Sequence, residues 1–323
     1  MRLAGPFIKQ ILAIGGPTAS GKTEVAFEVL KILPAEIISC DSMQVYKGMS
    51  IVTQACLPAG RPRATRGIPY HLVAFLDPSK EYNAALFRKD ALRLIAQIIK
   101  KKKIPLLVGG TGLYLRALLD GLFEPEKGKM SSDEVLRKKL LAGQKAYGGD
   151  TLHEKLKIVD PVSAGKIHPN DLRRIVRALE VFYLTGKPFS EQKANREGIR
   201  GEFDCRIFLL DRDRNELYER INRRVDRMIK EGLVEEVKKL NRKKLSMTAQ
   251  MALGLREMNQ ALSAQCSLKE AVELLKKRTR NYAKRQLSWF RHEKGIEIIH
   301  VPPRETAKET ANRIVQRWRE PRA

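Results

Sequence analysis

Ile11-Leu12-Ala13-Ile14-Gly15-Gly16-Pro17-Thr18-Ala19-Ser20-Gly21-Lys22-Thr23 is the stretch that decides the fold. Its first four residues read as a short buried strand. The last eight fit G-x-x-x-x-G-K-[ST], and a helical pattern over residues 23–33 follows. Strand, glycine-rich turn and helix, in that order, are the context this phosphate-binding motif requires. Gly16 and Gly21, with Pro17, Thr18, Ala19 and Ser20 between them, let the backbone fold round an anion with successive N–H groups pointing inward. The helix N-terminus adds partial positive charge. Lys22 adds a full charge, and the Thr23 hydroxyl is a candidate ligand for Mg²⁺. Residues 16–23 are therefore read as a polyphosphate site. The motif leaves the phosphate compound open, ATP or GTP being the default among P-loop proteins.

Short apolar runs recur at 36–39, 104–108, 206–210 and 296–301, each bounded by Gly, Pro or a charge. Runs this short, without alternation, suit strands buried on both faces of a parallel sheet. Helical patterns at 84–102 and 113–119 lie among them. The expected fold is α/β: a P-loop NTPase-like parallel sheet flanked by helices, with right-handed crossovers. Residues 121–201 differ, with helical patterns and no convincing strand. There, 131–147 opens on the start signal Ser131-Ser132-Asp133-Glu134. A second pattern at 170–184 follows His168-Pro169, with Asn170 as its cap, and closes at Thr185-Gly186. This predicts an all-helical insertion domain at 121–201 within a catalytic core of 1–120 and 202–323. Two basic helices come next. Residues 214–231 repeat Leu217, Ile221, Val225 and Met228 at helical spacing. Residues 269–291 carry Ala271, Leu274, Leu275, Tyr282, Leu287 and Phe290.

The 323 residues include 62 Lys plus Arg against 37 Asp plus Glu, a formal charge of +25. That excess attracts polyanions, and it fits either a nucleic-acid partner or a solubilising surface. Cys40, Cys56, Cys205 and Cys266 form no CxxC pair, which argues against a zinc knuckle and a disulfide framework. No run approaches the roughly 18 apolar residues that span a bilayer. Lys9 and Gln10 interrupt the apolar N-terminus, so it lacks the core of a signal peptide. The expectation is a cytoplasmic protein with no membrane contact.

One acid stands at the end of a strand. The run 36–40 leads into Asp41, whereas 104–108 leads into Gly109-Gly110. From the residues alone Asp41 has two readings: a metal-holding acid of the nucleotide-hydrolysing kind, or a catalytic base.

The chain also carries an ordered set of segments from about residue 8 to residue 300. The cradle at 16–23 is followed by Asp41-Ser42-x-Gln44-Val45-Tyr46-Lys47-Gly48-Met49. Then come Tyr70-His71-Leu72, Asp77-Pro78-Ser79 and Gly109-Gly110-Thr111-Gly112-Leu113-Tyr114. His168-Pro169-Asn170-Asp171, Arg173-Arg174 and Arg177-Ala178-Leu179-Glu180 follow. The last is Thr279-Arg280-Asn281-Tyr282-Ala283-Lys284-Arg285-Gln286. In this combination the sequence resembles the bacterial tRNA dimethylallyltransferases, or tRNA isopentenyltransferases.

The resemblance implies a reaction and roles. A dimethylallyl group moves from dimethylallyl diphosphate to N6 of an adenosine just 3′ of the anticodon in tRNA, and diphosphate leaves. The cradle then holds the leaving group, with Lys22 and Mg²⁺ on Thr23 stabilising its growing charge. By family match Asp41 is the base and Arg220 lies near the diphosphate; read without the family, Arg220 is a solvated helix charge. Asp41, Ser42, Met43, Gln44 and Thr111 are implied to contact the extruded adenine. Arg173, Arg174, Ile175, Val176 and Arg177 are implied to approach the RNA, although Arg173, Arg174 and Arg177 also read as one basic helix face. The implied partners are tRNA and the prenyl donor, and the implied state is a monomer. Trp289 is read as core.

Two segments depart from the family pattern. After Met49 an acid, then Ile-Gly-Thr-Ala-Lys, is usual; here the residues are Ser50, Ile51, Val52, Thr53, Gln54 and Ala55. The usual Gly-Tyr-Lys-Glu is Gly254-Leu255-Arg256-Glu257. Three rivals stand beside the transferase reading: a P-loop kinase or ATPase acting on RNA, a relative that prenylates free adenine nucleotides, and a non-catalytic RNA-binding protein.

Overall fold

The computed structural model describes residues 10–55, 69–122, 133–147, 150–192 and 198–321. Six strands form one sheet: β1 (Gln10–Gly15), β2 (Ala35–Ser39), β3 (Tyr70–His71), β4 (Ile104–Gly109), β5 (Asp204–Arg212) and β6 (Ile296–Val301). Their order is β3-β2-β4-β1-β5-β6 and every pair is parallel. The strand that feeds the cradle is thus interior, with Leu12 opposite Leu106 of β4 on one side and Arg206 of β5 on the other.

Among the described residues, α1 (Lys22–Leu30), α2 (Ser50–Thr53), α3 (Ala84–Lys100) and α4 (Gly112–Leu119) come before the middle segment. The middle segment holds α5 (Glu134–Tyr147), α6 (Thr151–Val159), α7 (Pro161–Ala164), α8 (Leu172–Thr185) and α9 (Phe189–Gln192). After β5 come α10 (Arg214–Lys230), α11 (Leu233–Leu240), α12 (Met247–Gln250), α13 (Leu255–Leu262) and α14 (Leu268–Arg291). Helix α15 (Ala307–Arg319) follows β6. None of these helices is long and apolar enough to cross a membrane.

The apolar runs are continuous because both sheet faces are covered. Leu12, Ile14, Ile37, Leu106, Phe208 and Leu210 point to one face, against Val25 and Val29 of α1 and Ile314 of α15. Ile11, Ala13, Ile38, Leu107, Ile207 and Leu209 point to the other, against α3, α4, α10, α11, α13 and α14. Strand β5 runs past the expected 206–210 because its charged ends are paired. Arg206 binds Glu297, and Arg212 binds Glu216 and the cradle. Strand β3 gives no sequence signal, being two residues long.

His71 nonetheless closes a buried ion cluster. Glu36 on β2 is 1% exposed. It accepts from Lys101 Nζ at 3.1 Å and Lys103 Nζ at 2.9 Å, and His71 Nε2 lies 2.9 Å away. Burial pushes the Glu36 carboxyl up, but the hydrogen bonds from Lys103, His71 and Lys101 outweigh it and bring its pKa to about 2. A depressed folded pKa gives stability that is present above the ordinary carboxylate value and lost as pH falls through the folded one. Wild type is therefore expected to lose about 3 kcal/mol from this group between pH 4.5 and pH 2. Glu36→Gln should be less stable at pH 7 and should lack that part of the acid slope, as measured by urea midpoints.

The chain separates into two compact units. One comprises the described residues up to Leu119 and from Ile199; the other spans Asp120–Gly198. Among the described residues the second unit contains helices and no strand. It is built round Leu140, Leu152, Leu156, Ile167, Ile175 and Leu179. Ser131 and Ser132 of the expected start signal lie outside the described residues. Asp133 caps α5, accepting from Val135 N at 2.8 Å and Leu136 N at 3.0 Å. The cap of α8 is Asp171 rather than Asn170. The Asn170 N–H is turned to His168 Nδ1, and it is Asp171 Oδ1 that accepts from Arg174 N at 3.2 Å. Gly186, at φ 72°, ends that helix in the left-handed region.

Candidate active site

The cradle turns where its sequence permits. Gly16 and Gly21 have φ of 149° and 98°. A Cβ on Gly16 would lie 3.0 Å from Ser20 Oγ and 3.1 Å from the Leu210 carbonyl, so the loop closes against β5 only with glycine there. Gly21 is the N-cap of α1 and has no side chain to cap the first turn. Those N–H groups, with the helix dipole behind them, are left to an anion.

An arginine collar grips this loop. Arg212 Nε donates to the Ser20 carbonyl at 2.8 Å, and Arg220 Nε to the Ala19 carbonyl at 2.8 Å. Arg224 Nη1 donates to Thr18 Oγ1 at 3.0 Å. Arg220 and Arg224 are four residues apart on α10 and so share a face. The adjoining stripe buries Leu217, Ile221, Val225 and Met228, and Asp213 caps the helix through Asn215 N and Glu216 N. Arg220, expected near the diphosphate, is thus at the loop rather than in solvent. Sequence reasoning missed Arg212 and Arg224; for Arg224 the four-residue spacing to Arg220 was the available signal.

Lys22 Nζ donates to the Pro17 carbonyl at 2.7 Å, across its own loop. Burial lowers its pKa to about 8, the charge of Asp41 opposes that shift, and Arg224 reinforces it. Lys22 and Asp41 are therefore electrostatic neighbours, although 19 positions separate their numbers.

Asp41 stands where β2 ends, beside β4. A Cβ on Gly109 would lie 2.2 Å from the Cys40 carbonyl oxygen, so the glycine lets the two backbones meet. Asp41 Oδ1 accepts from Met43 N at 2.9 Å and Gln44 N at 3.4 Å. Thr111 Oγ1 accepts from Ser42 N at 3.1 Å, and Thr111 N donates to the Cys40 carbonyl at 3.1 Å. Asp41, Ser42, Met43, Gln44 and Thr111 thus form one hydrogen-bonded corner. Burial pushes the Tyr282 hydroxyl up, and the Asp41 charge adds to it, with Thr111 alongside.

A cleft of about 1020 Å³ joins these parts. Thr18, Lys22, Thr23, Asp41, Gln44, Arg220, Arg224 and Tyr282 line it, and Val52, Met228, Leu253 and Leu275 give it an apolar wall. A smaller cavity of about 570 Å³ lies by Asp211, Tyr218, Leu287 and Pro302, with no cradle residue in its lining. Thr23 presents a single hydroxyl to the cleft. Mg²⁺ is commonly held by one or two protein oxygens plus substrate phosphates and water, so this donor fits that ion.

The model of the IPP transferase family matches residues 44–293. The chain belongs to the IPP transferase family. It is 43% identical over 310 residues to a tRNA dimethylallyltransferase of Carboxydothermus hydrogenoformans, covering 96% of each chain. It is 42% identical over 295 residues to that of Geobacter sulfurreducens, covering 91% and 92%. Among solved structures it is similar to the full-length tRNA isopentenylpyrophosphate transferase of Bacillus halodurans, with 38% identity, TM-score 0.67 and 96% of each chain covered. It also matches a eukaryotic dimethylallyltransferase acting on tRNA, with 30% identity and TM-score 0.75, covering 90% of this chain and 73% of that one.

The departures from the IPP transferase pattern have a local explanation. Ser50–Thr53 forms α2, whose N-terminus is capped by Glu236 of α11 through Ile51 N at 3.0 Å and Val52 N at 2.8 Å. Val52 is buried, and its Cγ2 stands 3.1 Å from where a Cβ on Gly254 would be. The bulk added at 52 is therefore housed by the missing side chain at 254. Leu255, in place of the usual tyrosine, is buried core.

The α8 residues expected at the RNA divide by burial. Arg173 and Arg174 are exposed. Ile175 and Val176 are 0% and 5% exposed and belong to the apolar stripe of α8. Their side chains face the core of the helical unit, and the exposed positions of the stretch are Arg173 and Arg174. Arg177 is bound to the fully buried Glu180, Nη1 to Oε2 at 2.6 Å, beside Arg137. Trp289 packs over Gly112, whose Cβ would lie 2.2 Å from the ring, with the Arg116 guanidinium 4.8 Å from the ring centroid. It is partly buried against the core, as expected.

Proposed function

We propose that this chain transfers a dimethylallyl group from dimethylallyl diphosphate to N6 of an adenosine just 3′ of the anticodon in tRNA. The single observation that carries the reading is one cleft lined by both the phosphate cradle and Asp41, in a member of the IPP transferase family. Partners are tRNA and the prenyl donor. The enzyme acts as a monomer in the cytoplasm. The charge of +25 favours a polyanionic acceptor over a free nucleotide.

The allylic C–O bond breaks with its electron pair passing to the diphosphate. The cradle N–H groups, Lys22 and Arg220 stabilise that charge as it grows. Bound Mg²⁺ on Thr23 would supply Lewis-acid neutralisation of the same oxygens. N6 of adenine attacks the allylic carbon, and Asp41 takes its proton. The amine lone pair is delocalised into the ring, so removal of the proton during attack is worth roughly two to four orders of magnitude. A tRNA loop base can be splayed out for this, which a duplex base cannot. Ser42, Met43, Gln44 and Thr111 form the corner that receives it, and exposed Arg173 and Arg174 serve the RNA backbone.

Mass spectrometry of tRNA nucleosides after incubation with dimethylallyl diphosphate and Mg²⁺ tests the reading. The expected product is one adenosine per tRNA heavier by a C5H8 unit. Consumption of ATP with unaltered RNA would establish the kinase or ATPase reading instead. Prenylation of AMP or ADP but not tRNA would establish the nucleotide-modifying one.

A further inference from the structure

Helix α14 sends a neutral side chain into the cradle. Gln286 is 7% exposed. Its Oε1 accepts from the Thr18 N–H at 2.9 Å, and its Nε2 donates to the Gly110 carbonyl at 2.9 Å. One carboxamide thus bridges the phosphate loop and the turn after β4. The fit is close, since a Cβ on Gly110 would lie 2.2 Å from Nε2 and 3.0 Å from the Gly16 carbonyl. The two bonds make opposite demands, an acceptor for Thr18 and a donor for Gly110. An amide of this length meets both, and the pairing fixes which way round it sits.

Thr279, Tyr282 and Gln286 stand at i, i+3 and i+7 on α14 and line the cleft together. Tyr282 has Asp41 and Thr111 as its neighbours, on the acceptor side. The opposite end of the stripe holds the donor loop through Gln286. The Thr18 N–H is already satisfied by Gln286, so the anion is left to the N–H groups that follow it. Where those groups point depends on how the Thr18 peptide is held.

We propose that Gln286 is a positioning residue for the diphosphate: its bridge between Thr18 and Gly110 sets the aim of the cradle N–H groups, so that it acts through the loop. The identity of the donor rests on the transferase reading; the bridge does not. Misplacement of reacting groups by about 1 Å lowers rates by about 100-fold. The cradle acts more strongly on the transition state than on bound substrate.

The test compares the full-length wild type with Gln286→Met, which keeps length and loses both bonds, and Gln286→Asn, which keeps both groups but is one methylene too short to span them. Binding of inorganic pyrophosphate with Mg²⁺ and of an anticodon stem-loop RNA is measured by calorimetry, and transfer by single-turnover assays. Each variant should bind pyrophosphate about tenfold more weakly, transfer about 100-fold more slowly, and bind the RNA within about twofold of wild type. Unchanged pyrophosphate affinity in both variants would overturn the proposal. So would weakened RNA binding with pyrophosphate affinity intact, which would make Gln286 an RNA contact. Thermal melting of Gln286→Asn shows whether the milder variant remains folded. Pyrophosphate binding is read without turnover, so failure of the bridge and failure of the transferase reading are separate results.

Discussion

Asp41→Asn is expected to slow transfer by roughly two to four orders of magnitude and to leave tRNA affinity close to wild type. Alanine is the blunter choice, because Asp41 does two things. Its Oδ1 accepts from Met43 N and Gln44 N, which shapes the corner at 41–44. Asparagine keeps a carbonyl oxygen for those bonds and cannot take a proton from the adenine amine. Alanine loses both roles, and the corner would relax with the base. Single-turnover rates at saturating tRNA, beside the dissociation constant for tRNA, separate the two. Near-normal chemistry in Asp41→Asn would show that another group removes the proton.

The second large effect belongs to Lys22. Lys22→Met removes the one full positive charge inside the cradle and should lower kcat/KM for the donor by about 100- to 1000-fold. A pH profile adds a sign. Burial has lowered the Lys22 pKa to about 8, with Asp41 holding it from falling further. The protonated form receives the diphosphate, so kcat/KM for the donor should fall as pH rises through about 8, that ratio reporting the free enzyme. In Lys22→Arg the guanidinium stays charged throughout, and the limb should vanish. In Asp41→Asn the opposing charge is gone, and the limb should move to lower pH. A profile identical in wild type and Lys22→Arg would assign the titration to a different group.

The cradle was legible in the sequence because it is local. Strand, turn and helix lie within residues 10–30, and every requirement, from Gly16 to Thr23, is met by consecutive positions. Five of the strands, β1 included, were legible as apolar runs because both faces of the sheet are covered. Strand β3 was not, since Tyr70 and His71 are placed by register with Ile37 and Ile38, a relation across the fold. The same reason hides the collar and the bridge. Arg212, Arg224 and Gln286 contact the loop across sequence separations of 192, 206 and 268 residues, and the spacing of Arg224 from Arg220 is the one local hint. Ile175 and Val176 show the opposite relation. A match to a family segment named five neighbouring positions, whereas helical periodicity sends those two into the core. Likewise the cap of α8 fell on Asp171, whose Oδ1 accepts from Arg174 N, a detail of the turn that composition does not carry.

The interior position of β1 has a consequence for how the molecule is made. The first residues of the cradle leave the ribosome early, yet one edge of their strand pairs with β5, and the side chains that clamp the loop lie on β5, α10 and α14. Such distant pairings close late in folding. A growing chain shorter than about Gln286 carries the complete glycine-rich signature and lacks the parts that aim it. Competence therefore waits until α14 has been made, and a chain released before it would be mute despite an intact motif.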